Sequence, residues 1–118
     1  MHLQQRYQGE YLMKRGEIWT LRDDGYASKA RPVVIVQSDD IDRFDSIVLC
    51  LLTTFDSSEI LTRVRIMPDL ENCLKRDSYI MTEKIITVDK RELGEKIGIL
   101  NQDQLDEISH QLKVVLGL

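Results

Sequence analysis

The residues best placed to do chemistry are an arginine and a hydroxyl pair that stand next to apolar runs. Ser28-Lys29-Ala30-Arg31-Pro32 leads directly into Val33-Val34-Ile35-Val36, and proline restricts the residue before it to extended backbone. A guanidinium fixed at the edge of a rigid sheet is well suited to anchor a phosphate. Thr53-Thr54 closes a second apolar run, Ile47 to Leu52, and hydroxyls there either satisfy turn backbone or face a ligand. Taken alone, Arg31 stays open between a phosphate anchor and a structural partner for Asp39 or Glu83. If the two apolar runs are neighbouring strands, guanidinium and hydroxyl share one rim, where together they can hold a phosphate and stabilise added negative charge on it.

Other chemistries find less support. His2 lies in a polar N-terminal stretch and His110 in a helical pattern, and Cys50 and Cys73 are too far apart for a Cys-x-x-Cys pair, so no metal-ligand spacing emerges. The acidic stretch Asp39, Asp40, Asp42, Asp45 lacks the glycine turn and spacing of an EF-hand loop. There is no Gly-rich phosphate loop and no Gly-x-Ser-x-Gly. A mechanism needing two histidines has only His110 to draw on. Neither a metal nor a cofactor is expected.

The elements that must position Arg31 and Thr53 follow from hydrophobic patterning. Glu17 to Leu21 alternates at a period of two, as a half-buried strand does. Val33–Val36 and Ile47–Leu52 are β-branched or apolar throughout, which predicts central strands buried on both faces. Between them, Ile41 and Phe44 suggest one helical turn pinned to the core. Arg63-Val64-Arg65-Ile66 alternates, and Tyr79–Thr82 followed by Lys84–Val88 reads as two or three further strands. Leu70 and Leu74 after Pro68 suggest a single turn. Asn101 and Gln104 have capping-box spacing. Leu105, Ile108, Leu112 and Val115/Leu116 follow at helical intervals up to Gly117. The prediction is α+β, mostly β: five or six short, mainly antiparallel strands in a small barrel with a C-terminal helix.

Length and composition agree with one globular unit: 118 residues, 42% hydrophobic, 31% charged, net charge −4. No apolar run approaches the ~20 residues of a membrane-spanning helix. Residues 1–12 read as an N-terminal extension and 13–118 as the folded domain. With no signal-like segment and no disulfide framework, the expected compartment is the cytoplasm. The charge balance contains no basic excess, so a nucleic-acid contact would need a local cluster.

In their order, Lys14-Arg15-Gly16-Glu17-Ile18-Trp19, Lys29-Ala30-Arg31-Pro32-Val33-Val34-Ile35-Val36-Gln37-Ser38-Asp39, Leu52-Thr53-Thr54, Arg76-Asp77-Ser78-Tyr79-Ile80, Thr87-Val88-Asp89-Lys90 and Ile97-Gly98 resemble the successive motifs of the MazF/PemK toxins. The resemblance spans residues 13–118. It implies an SH3-like small barrel of the kind CcdB and MazF toxins share, a homodimer, and metal-independent, sequence-selective cleavage of single-stranded RNA. It also implies an antitoxin whose acidic tail occupies the RNA groove. Carried across, the family's catalytic arginine falls on Arg31 and its catalytic hydroxyl on Thr53. Lys29, Thr54, Glu83 and Lys84 fall on the RNA-contacting surface, Glu83 and Lys84 matching a substrate-contacting pair. Structural pairing of Glu83 with Lys84 or Arg31 is the competing reading. The loop Asp23 to Lys29, with Tyr26, is short. A gyrase poison on the same barrel, acting through the C-terminal residues, and a non-catalytic RNA or antitoxin binder are the alternative functions.

Overall fold

The computed structural model describes residues 12–22 and 31–118. Among these, the strands are β1 (Glu17–Leu21), β2 (Arg31–Ile35), β3 (Ser46–Thr53), β4 (Val64–Ile66), β5 (Ser78–Asp89) and β6 (Leu93–Ile99), and helix α1 runs Gln102–Leu116. They form one antiparallel sheet ordered β4-β5-β3-β2-β1-β6. The architecture is the expected α+β, mostly β, fold.

The sheet curls until its ends meet. Ile18 of β1 shares a buried cluster with Val64 and Ile66 of β4, although three strands lie between them. The Ile99 N–H at the end of β6 donates to the Glu71 carbonyl, 3.0 Å away, in the turn after β4. These contacts close the SH3-like barrel. Gly98 permits the approach, since a Cβ there would stand 2.4 Å from the carbonyl oxygens of Glu71 and Asn72.

The central strands are buried on both faces, as their composition predicts. Val34 and Val36 join the interior cluster with Cys50, Ile80, Leu100 and Ile108. Val33 and Ile35 point the other way, into a second cluster with Met13, Ile47, Leu49 and Leu93. Alternation along an extended backbone gives one apolar run two packing surfaces.

Helix α1 starts at a complete capping box: the Gln104 N–H donates to Asn101 Oδ1 at 2.8 Å and the Asn101 N–H to Gln104 Oε1 at 2.9 Å. It ends at Gly117, whose φ of 71° is left-handed. Ile108, fully buried, and Leu112 pack on the interior cluster. Arg15 fastens the helix to the sheet by donating to the Val36 carbonyl and, at 2.7 Å, to Ser109 Oγ.

Three expectations need correction. The Ser38–Asp45 segment makes a single turn, closed by the Ile41 N–H on the Ser38 carbonyl at 3.0 Å, but it is not pinned to the core, since Ile41 and Phe44 remain 48% and 57% exposed. Local polar bonds prevail there: the Asp40 N–H donates to Ser38 Oγ, and the Gln37 side chain spans from the Ile41 carbonyl to the Val48 N–H. Of the two or three strands expected after residue 62 from Arg63–Ile66, Tyr79–Thr82 and Lys84–Val88, there are two, because Tyr79–Thr82 and Lys84–Val88 belong to one twelve-residue strand. The sixth strand, Leu93–Ile99, went unassigned because Glu95 and Lys96 interrupt its apolar pattern. The predicted turn near Pro68 is present, closed by the Cys73 N–H on the Asp69 carbonyl, but only Leu74 packs on the core while Leu70 is 96% exposed.

Candidate functional site

Arg31 is the first residue of β2 and Thr53 the last of β3. These strands pair antiparallel with Val33 opposite Leu51, Val34 opposite Cys50 and Ile35 opposite Leu49. Continued two residues outward, this register sets Arg31 across from Thr53, on the same face as Val33 and Leu51. The row extends further, because Arg31 pairs with Leu21 of β1, Thr53 with Tyr79 of β5, and Tyr79 with Arg65 of β4. Adjacent strands lie about 4.8 Å apart, so guanidinium and hydroxyl start from neighbouring backbone positions at one end of the barrel. Arg31 is exposed, and the acids considered as its structural partners bond elsewhere: Asp39 Oδ1 accepts from the Arg15 N–H at 2.7 Å, and Glu83 pairs with Arg63.

Thr53 Oγ1 accepts the Phe55 N–H at 3.1 Å. The turn-supporting role open to a strand-end hydroxyl is thus filled, while the hydroxyl keeps its own proton to donate. Thr54 follows, exposed. Just beyond, Asp56 Oδ1 accepts from the Ser58 N–H at 2.9 Å and from the Tyr79 hydroxyl at 3.1 Å. The Ser58 bonds, with Tyr79, hold the Asp56 carboxyl below its ordinary range. Burial, together with the Asp56 bond, pushes the Tyr79 phenol up, so it remains a proton donor near neutrality. Arg65, beside Tyr79, pairs with Asp77.

Glu83 and Lys84 occupy a bulge. Cys50 pairs with Ile85 but Leu51 pairs with Met81, which leaves Thr82, Glu83 and Lys84 as extra residues on β5. A bulge re-aims side chains out of the sheet's regular alternation, and both Glu83 and Lys84 are exposed. Of the partners foreseen for Glu83, neither Lys84 nor Arg31 takes it. Arg63 does, with Nε 3.0 Å from Glu83 Oε2 and Nη2 also donating there. That bond holds the Glu83 carboxyl below its ordinary range, against the upward push of partial burial and with a smaller contribution from Lys84.

The structure places Arg31, Thr53, Thr54, Glu83 and Lys84, all named from the sequence, on adjoining strand ends and on a bulge that the sequence pattern does not reveal, and it sets Arg63 and Tyr79 beside them. The alternation Arg63-Val64-Arg65-Ile66 was the available signal, since burying Val64 and Ile66 turns both arginines outward. Lys29, Tyr26, the loop Asp23 to Lys29 and nearly all of the N-terminal extension lie outside the described residues. Among the described residues no helix is long and apolar enough to cross a membrane.

Residues 14–116 match the model of the PemK-like, MazF-like toxins of type II toxin–antitoxin systems. The chain is 35% identical over 107 residues to the probable endoribonuclease MazF of Mycolicibacterium smegmatis, covering 90% of this chain and 98% of that protein. A solved mycobacterial endoribonuclease in complex with its cognate antitoxin is 29% identical, with a TM-score of 0.74 over 89% of this chain and 95% of the other. The Mycobacterium tuberculosis toxin MazF-mt6, 23% identical, shares the fold with a TM-score of 0.73 over 86% and 97% of the two chains. These likenesses do not favour a gyrase poison or a non-catalytic binder. With the barrel, its terminal helix and the motifs in matching order, the chain belongs to the PemK-like, MazF-like toxin family of type II toxin–antitoxin systems.

Proposed function

We infer that this chain is a toxin that cleaves single-stranded RNA at the rim where β2 begins and β3 ends, through Arg31 and Thr53. The pairing of β2 with β3, whose register continued two residues outward sets Arg31 across from Thr53, is the observation that carries this reading, and the 35% identity to a probable endoribonuclease MazF supports it. In the reaction the 2′-oxygen of a ribose attacks the adjacent phosphorus. A new O2′–P bond forms as the 2′-hydroxyl gives its proton to water, the P–O5′ bond breaks as O5′ takes a proton from water, and the products carry a 2′,3′-cyclic phosphate and a 5′-hydroxyl. Arg31 stabilises the extra negative charge of the pentavalent phosphorus centre, a role matched to a group that is always cationic. Thr53 donates a hydrogen bond to a phosphate oxygen, keeping its proton, and so positions the phosphate between the strands. Lys29, Thr54, Glu83 and Lys84 line the path of the RNA. Glu83, acceptor-only when ionised, suits the amino or imino hydrogens of a base edge, and Lys84 suits a phosphate.

The acting unit comprises residues 13–118 and works in the cytoplasm as a homodimer. An antitoxin with an extended acidic tail neutralises it by occupying the RNA groove. The net charge of −4 makes a groove with its own local potential necessary, because affinity for RNA rests largely on phosphate neutralisation. Incubating the purified protein with single-stranded RNAs of varied sequence in EDTA tests the reading. Cleavage by wild type, leaving cyclic phosphate ends, with loss in Arg31→Ala and Thr53→Ala, is expected. RNA left intact by wild type overturns the activity, and equal cleavage by all three proteins overturns the site.

A further inference from the structure

Arg63 lies one residue before β4, its side chain 15% exposed, and its guanidinium works in two directions. Nε and Nη2 donate to Glu83 on the β5 bulge. Nη1 donates to Ser57 Oγ at 2.9 Å in the segment that follows Thr53. Ser57 is 3% exposed and donates its hydroxyl proton to the Phe55 carbonyl at 3.0 Å. The Phe55 N–H then donates to Thr53 Oγ1 at 3.1 Å. Four linked hydrogen bonds thus run from the Glu83 carboxylate to the Thr53 hydroxyl. Each has its donor direction set, because a hydroxyl receiving an Arg N–H must aim its own proton elsewhere. Apolar packing gives this segment little alternative support, with Phe55 75% and Leu61 84% exposed.

We propose that Arg63 is a positioning residue that ties the segment following Thr53 to the β5 bulge and thereby holds the Thr53 hydroxyl in one orientation. The proposal rests on the reading of Thr53 as the group that meets the phosphate. Arg63 itself touches no reacting atom and acts through Ser57 and Phe55. Two other ties join β5 to this stretch: Thr82 Oγ1 donates to the Thr62 carbonyl at 2.6 Å, just before β4, and the Tyr79 hydroxyl donates to Asp56 Oδ1 at 3.1 Å, but neither belongs to the chain of bonds that ends at the Thr53 hydroxyl. Losing Arg63 therefore releases Ser57 and, through it, the Phe55 carbonyl, with Asp56 still held by Tyr79 and the barrel left in place.

Two measurements on the full chain decide the matter. Amide hydrogen exchange needs no activity. Arg63→Gln and Ser57→Ala should each accelerate exchange at the Phe55 amide by about tenfold or more, with Val34 and Leu49 in the central strands unchanged. Ser57→Ala removes a single oxygen and reads the same chain of bonds should Arg63→Gln fold poorly. In steady-state cleavage of an RNA oligonucleotide, Arg63→Gln should lower kcat by roughly ten- to a hundredfold, a loss in the chemical step beyond any rise in KM from the freed Glu83, which Glu83→Gln measures on its own. Arg63→Lys, which can still reach one partner, should recover part of the loss. In a Thr53→Ala background Arg63→Gln should cost nothing further, because both act through the same hydroxyl. Unchanged Phe55 exchange in both variants, or losses that multiply in the double mutant, overturns the proposal. Should wild type leave RNA intact, the cleavage reading fails by itself, and the exchange measurement still decides the role of Arg63.

Discussion

Arg63 Nε donates to both carboxylate oxygens of Glu83, at 3.0 Å to Oε2 and 3.4 Å to Oε1. This pair joins the residue before β4 to the bulge of β5 and fixes where an outward-facing carboxylate can accept hydrogen bonds. A carboxylate offers about four lone-pair directions, so a base edge can still be read by those that Arg63 leaves.

The bond gives a pH signature. Arg63 holds the folded Glu83 carboxyl below its ordinary 4.5, against the effect of partial burial. The unfolded chain therefore takes up that proton first as acid is added. The stabilisation is fully present above the ordinary value and is lost as pH falls through the lower folded one. Glu83→Gln should be less stable than wild type near neutrality, by less than about 1 kcal/mol because the pair is partly solvated. The gap should close in acid. Urea midpoints for both proteins near neutral pH and below about pH 4 check this, and a gap that widens on acidification contradicts it.

Arg31→Ala should lower kcat by about a hundred- to a thousandfold, the usual loss when one donor to a developing oxyanion is removed. Its thermal midpoint should stay within about 2 °C of wild type, since the side chain is exposed. Thr53→Val, which keeps the shape and removes the hydroxyl, should also lower kcat. Initial rates at saturating RNA alongside thermal melts separate chemistry from folding.

Gly98→Ala should destabilise the fold by about 2 kcal/mol or more. The added Cβ meets backbone carbonyl oxygens at 2.4 Å, so a shift of main chain is required, and the nearest relief is to open the contact between β6 and the turn after β4. Chemical denaturation gives the loss, and faster exchange of the Ile99 amide locates it.

The two thiols should differ sharply towards an alkylating reagent. Cys50 is fully buried, and burial pushes its thiol up to about 12, which leaves almost no thiolate near neutrality. Cys73 is exposed. Intact mass should show one rapid adduct on the native protein, mapped to Cys73, and a second only after denaturation.

The sequence pattern made the barrel legible where burial was strongest. Val33–Val36 and Ile47–Leu52 carry enough β-branched and apolar residues to require central strands, but the register between them was not legible, since a strand apolar on both faces loses little burial on a one-residue slip. Asn101 and Gln104 announced the helix because a cap is a local device. Strand β6 stayed hidden because closure of the sheet is a long-range event: Ile99 finds Glu71 across 28 residues of chain. For the candidate site, Arg31 and Thr53 could be named from their places at the ends of apolar runs. Arg63 could not, because its partners Ser57 and Glu83 meet it only once the bulge forms, and no local pattern marks a three-residue register shift.

With both sides of β2 and β3 committed to apolar packing, the tips are all these strands have left for contact with a target. Changes in the connecting segments can therefore retune which sequence is bound without disturbing the scaffold, whereas a polar residue introduced midway along either strand would harm stability before it altered recognition.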